Sequence, residues 1–313
     1  MPPMRKSPLC LVWLSLAWGM FLSGCASTPL VLTIPPRAEA VGPPAYGSKD
    51  YSGALSAIVS AMVRDLKLPA IEASVTLYFS QTSYESGVVA ESEKDLQRLR
   101  QQLGPHANRL REEELVFSAR RFAVSSVAVG MYKKVLVNEW RLAKYPWPEW
   151  VKVLAHELTH TIERNLVEGR LTVSDQWLRE GFAEWVGYQV ADTFGAETFA
   201  KSRDRVLDSI ATAKSYQTFP SLTQLARNAE WLTWSKTLGR AATYGQALIA
   251  VDLLVEQKGL AAVVEYFRLF GELNNRDRNF TTAFGEPISG FEGKFTKHLH
   301  RLLEKRSRSG LFG

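Results

Sequence analysis

Five histidines occur in the 313-residue chain, and two of them stand four apart in His156-Glu157-Leu158-Thr159-His160. On a helix that spacing stacks two side chains on one face, so both imidazoles can converge on a single Zn2+ at about 2.0–2.1 Å. Glu157, one position round the helix, is not a ligand in this arrangement but can reach a water at the metal as a general base. A third ligand is offered by Glu180, within Trp177-Leu178-Arg179-Glu180-Gly181-Phe182-Ala183-Glu184-Trp185. The nineteen residues between His160 and Glu180 suffice to finish one helix, turn at Gly169 and return antiparallel. A set of His156, His160 and Glu180 leaves the fourth position open, which is the catalytic and not the structural pattern for zinc. Glu184 shares a helix face with Glu180; it either accepts the free ring N–H of His156 or lies on the surface. His106, His298 and His300 have no partner at ligand spacing and read as surface residues.

These side chains need two helices to hold them. The first is expected over 148–168, with Pro148 in its first turn and Gly169 as its stop, and with Val151, Leu154, Leu158 and Ile162 on the face opposite the histidines. The second starts after a cap at Ser174 or Asp175, and Gly181 lets the two helices approach closely. Ahead of them the patterning predicts a helix over 51–66, a strand over 73–80 and an amphipathic helix over 88–103 closed by Gly104. Strands are expected over 114–122, 123–129 and 134–138, with Gly130 as a turn or bulge between the last two. Beyond Pro148 the pattern is nearly all helical, with a break at 218–221 and a basic last helix over 290–306.

Three separated motifs resemble those of the gluzincin metallopeptidases, the thermolysin-like and aminopeptidase-like superfamily, and most closely its small peptidase MA-like members. They are the segment 156–160, the segment 177–185, and Tyr244-Gly245-Gln246-Ala247 leading into the apolar run 248–254. The resemblance covers roughly residues 134–259. It implies one Zn2+ on His156, His160 and Glu180, Glu157 as the base, and the Tyr244 hydroxyl as the group that stabilises the tetrahedral oxyanion; Tyr244 also reads as a core aromatic. The expected fold is α+β, a small mixed sheet followed by a mostly helical zincin region. The Gly-x-Met-Glu-Asn segment with which the aminopeptidase branch captures a free amine does not occur before His156, which favours endopeptidase action.

The N-terminal residues carry an address. Arg5 and Lys6 precede an apolar run over 9–21, and Leu22-Ser23-Gly24-Cys25 resembles the bacterial lipobox, in which cleavage frees a cysteine that is then lipidated. This gives a lipoprotein signal peptide over 1–24, a lipidated Cys25 with a Pro-rich tether over 25–49, and a metallopeptidase domain over 50–313. Within that domain, 50–145 forms a mixed α/β part and 146–313 a helical part with the zinc site. Ala26, by analogy, is compatible with sorting to the outer membrane. Cys10 and Cys25 are the two cysteines, so any downstream metal must be held by His, Asp or Glu. With 46% hydrophobic and 22% charged residues the chain is neither disordered nor a multi-span membrane protein, and a net charge of +6 without a basic cluster gives no nucleic-acid partner. The sequence therefore points to a lipid-anchored, periplasm-facing zinc peptidase acting on a peptide or protein substrate. The alternative is an envelope assembly factor or chaperone lipoprotein that keeps the zinc site with little catalysis.

Overall fold

A computed structural model describes residues 28–34, 50–104, 112–213 and 219–310. Cys25 and His106 lie outside them. The fold is α+β: four short strands form one mixed sheet, and helices make up most of the rest. None of the helices among the described residues is long and apolar enough to cross a membrane.

The sheet has the order β1-β2-β4-β3, built from β1 (Leu30–Thr33), β2 (Ser74–Tyr78), β4 (Lys134–Asn138) and β3 (Ala128–Met131). β1 and β2 are antiparallel, β2 and β4 parallel, and β3 and β4 an antiparallel hairpin. The first strand corrects the expected tether over 25–49. The run Leu30-Val31-Leu32-Thr33-Ile34 is apolar and β-branched enough to pair along β2, and Ile34 is buried in the main core.

Between β2 and β3 lie α2 (Gln81–Leu103) and α3 (Glu112–Ser125). Ser80 caps α2 by accepting the Ser83 amide, so this helix starts seven residues ahead of the expected Val88. α3 replaces the strand expected over 114–122 and the start of the one expected over 123–129, whose last residues Ala128 and Val129 do belong to β3. α3 packs along α2. Tyr78, Tyr84, Val88, Ala123, Met131 and Leu136 close one face of the sheet beneath these two helices. Gly130 is not a turn but lies inside β3; the reversal falls at Tyr132-Lys133, where Lys133 has φ 56°.

The other face carries α1 (Tyr51–Ser60), which continues as a π-turn over Ala61–Asp65, and α5 (Trp147–Leu166), reached through the short α4 (Glu139–Leu142). α6 (Gln176–Thr193) returns antiparallel along α5, and α9 (Arg240–Lys258) packs on α6. The remaining helices complete a layer around this trio. They are α7 (Phe199–Ala211), α8 (Asn228–Leu238), α10 (Leu260–Leu269), α11 (Arg276–Phe284) and α12 (Ile288–Gly310). Val151, Leu154, Leu158 and Ile162 of α5 are all buried in the core.

Two details of α6 differ from the sequence reading. Asp175 is its N-cap residue, but its side chain does not cap the helix. Instead Asp175 Oδ2 accepts from the buried Tyr266 hydroxyl at 2.7 Å, while its own amide donates to that oxygen at 3.0 Å. The first α6 amides are satisfied by the 225–226 carbonyls. Gly181 faces α9 and not α5: a Cβ there would collide with the Ala247 carbonyl.

Candidate metal centre

The antiparallel pairing of α5 and α6 builds the site rung by rung. His160 and His156 lie one turn apart with their Nε2 atoms 3.1 Å from each other. Glu180 Oε2 lies 3.6 Å from each of these nitrogens. Three ligands at zinc bond lengths occupy one face of a tetrahedron whose edges are about 3.3–3.4 Å. The observed triangle matches that face, and the two nitrogens and one carboxylate form a donor set suited to Zn2+.

Each ligand is oriented from behind. Glu184 Oε1 lies 3.2 Å from His156 Nδ1, and Glu163 Oε2 lies 3.1 Å from His160 Nδ1. Both rings can thus donate Nδ1–H to a carboxylate and present Nε2 to a metal. The other Glu180 oxygen accepts from Gln176 Nε2 at 2.7 Å. Lys152 sits 3.4 Å from Glu184 and also donates to the Tyr188 hydroxyl, while Arg179 donates to Glu163 at 3.4 Å. A cation therefore stands behind each supporting carboxylate.

Among the protein groups alone, the charge balance calls for positive charge at the triangle. Burial disfavours the His156 imidazolium, yet Glu180 and Glu184 lift its pKa to about 10. Burial likewise opposes charging of His160, and Glu163 and Glu180 raise it to about 9. Burial also disfavours the Glu180 carboxylate, but the two imidazoles hold its pKa well below the usual range. Protons and a dication compete for the same nitrogens in such a site.

Glu157 is separate from this triangle, as the helix geometry requires. It is half-buried, and its Oε2 accepts the Gly130 amide of β3 at 2.6 Å. The edge strand can come this close because residue 130 is glycine. A Cβ there would collide with the Glu157 carbonyl oxygen and lie 2.9 Å from His160 Cβ.

Tyr244 on α9 lies on the Glu180 side of the site. Burial raises its phenol pKa, with the Glu180 charge adding to the effect, so it remains an O–H donor through neutral pH. Its ring meets Trp231 edge-on at 4.9 Å and carries the exposed Arg240 guanidinium 4.7 Å above its face. His298 is half-buried and His300 exposed on α12, and the metal-capable cluster contains neither.

The sequence reading did not single out Gln176, Glu163, Arg179 or Lys152. Glu163 had a readable signal, since a position three after His160 shares its helix face. Gln176 had one too, four before Glu180 on the same helix. Arg179 and Lys152 act across the α5–α6 interface, and only the register of the two helices reveals them. Comparison with family models, curated proteins and solved structures gives no match to this chain.

Proposed function

We propose that this chain is a zinc-dependent peptidase of the gluzincin type, an endopeptidase held through a lipidated Cys25 on the bacterial outer membrane and facing the periplasm. The observation that carries the reading is the division of labour along one helix. His156 and His160 aim at a common point with Glu180, while the intervening Glu157 is kept out of that point by the Gly130 amide. A purely structural zinc site has no use for such an unligated carboxylate.

His156, His160 and Glu180 would hold the metal. Bound Zn2+ would supply Lewis acidity, bringing the pKa of a coordinated water toward about 7 and polarising a carbonyl. Glu157 would take the proton of the attacking water and pass it to the leaving amine. Tyr244 would donate its hydroxyl hydrogen bond to the oxygen that gains charge at the scissile carbonyl. Glu163 and Glu184 would hold both rings in the tautomer that leaves Nε2 free.

The experiment is metal analysis combined with mapping of new N-termini in an envelope proteome. The purified chain should bind one Zn2+, and His160→Ala should lose it while His298→Ala keeps it. Glu157→Gln should retain zinc and fold, yet lose about 10²–10⁴ of the cleavage rate, the usual share of general acid–base catalysis. Full rescue of a deletion strain by Glu157→Gln at normal protein level would replace this reading with that of an assembly factor.

A further inference from the structure

A second group of side chains, distant in role from the metal triangle, gathers at one end of the sheet. β1 pairs Leu30 with Leu77 of β2, and β2 pairs Leu77 with Val137 of β4. Leu30 is therefore at the end where β4 delivers the chain into α4 and the loop before α5. Trp140 and Tyr145 are exposed there, at 47% and 45%, with exposed Lys144 and Pro146 beside them. Lys144 Nζ stands 3.6 Å over the Trp140 ring, and Arg141 is partly exposed next to it.

This segment rests on a fixed base. Buried Glu139 accepts from the Tyr51 hydroxyl at 2.9 Å and from Trp150 Nε1 at 3.3 Å. Trp150 in turn stacks on Trp147 at 5.1 Å and on Tyr51 at 6.1 Å. The acidic neighbours are already engaged: Asp50 caps α1 through the Gly53 amide, and Glu149 lies 3.5 Å from Lys152.

We infer that the segment bearing Trp140, Lys144 and Tyr145 is a docking surface for a phospholipid bilayer. Tryptophan and tyrosine combine an apolar body with a polar tip and settle at the headgroup level, and lysine and arginine reach lipid phosphates from there. The position of the surface singles out a bilayer as its occupant. Four residues separate Cys25 from Leu30, and the five chain steps between them span at most about 18 Å. The location thus rests on the reading of Cys25 as a lipid anchor, whereas the chemistry of the loop does not. One consequence concerns the substrate. Trp147 and His156 are nine residues apart on α5, about 14 Å along its axis, so a docked domain holds its metal centre close to the headgroups and suits membrane-proximal segments of polypeptide.

The test uses the full mature chain in phosphatidylethanolamine–phosphatidylglycerol vesicles whose acyl chains are brominated, so that tryptophans at the interface are quenched. The wild-type chain should lose part of its emission, and Trp140→Phe should reduce the quenched fraction at least twofold while Trp234→Phe leaves it unchanged. Tyr145→Ala, which keeps Trp140 as a reporter, should also lower it. Intact mass of the mature chain reports the anchor separately. Trp140-dependent quenching in a chain without acyl mass keeps the docking surface and discards the anchor. An acylated, vesicle-bound chain without Trp140-dependent quenching overturns the docking surface and leaves the anchor standing. Cross-linking from position 145 to an envelope protein, without quenching, also overturns it in favour of a protein partner.

Discussion

Glu163 ties the candidate metal site on α5 to Arg179 of α6. One of its oxygens serves both His160 Nδ1 and Arg179, and the other is buried without a hydrogen-bond partner. Replacing it by Ala should free the His160 ring to rotate and lower zinc affinity by about 10–100-fold, the usual effect of removing such a support. Glu163→Gln keeps an acceptor for Nδ1–H and should recover part of that loss, as measured by competition with a chromophoric chelator. Equal affinities for the Ala and Gln variants would show that the carboxylate charge, and neither packing nor a neutral acceptor, matters at this position. The contrast with His156, His160 and Glu180 explains what could be read from the chain. Spacing of four and a nearby acidic helix are properties of sequence, and they pointed to the His156, His160 and Glu180 cluster that the structure brings together. Arg179 and Lys152 acquire meaning only when α5 and α6 settle in one antiparallel register.

At the scale of elements, α6 is positioned by contacts at its first turn and at Gly181, one of its two glycines. At Gly181 an added methyl group would collide with the Ala247 carbonyl and lie 2.9 Å from Val251 Cγ2, so α6 and α9 would have to separate. Gly181→Ala should cost about 1–3 kcal/mol and lower Tm by several degrees, with weaker zinc retention because Glu180 is adjacent. Gly293→Ala, on α12 with open space at its Cβ, is the control that should not destabilise. At the first turn, burial raises the Asp175 carboxyl from 3.8 to about 6, against the opposing pull of Tyr266 and Arg276. A raised carboxyl pKa means that the folded state binds this proton more tightly. Its stabilising contribution is therefore complete below about pH 3.8 and is lost as pH rises through 6. Relative to wild type, Asp175→Asn should gain on the order of 2–3 kcal/mol between pH 4 and 7, read from urea midpoints at both pH values. An unchanged difference would show that Asp175 does not titrate in this window. These long helices were legible because apolar periodicity and glycine stops recur through 147–258. α3 was not, since its aromatic and β-branched residues favour strand locally, and the helix is fixed by packing along α2.

At the scale of the whole molecule, the least legible feature is the sheet. Its two central strands are parallel and separated by the long α2–α3 excursion, and its first strand comes from a stretch whose prolines suggested a tether. Pairing between segments so distant in the chain leaves no local trace beyond short apolar runs. β1 therefore changes how the chain should be cut. A protein trimmed to begin at Asp50 would retain every ligand and every helix, yet β2 would become a bare edge in a sheet whose Val75 and Leu77 are buried. Such an edge offers unpaired amides and carbonyls to any other strand, including the β2 of a second copy. The trimmed protein should dimerise or aggregate with rising concentration in light scattering, whereas a chain retaining residues 28–34 stays dispersed. Proteolytic nicking between β1 and α1 would have a related effect, turning a dispersed domain into a seed for self-assembly once the short strand dissociates.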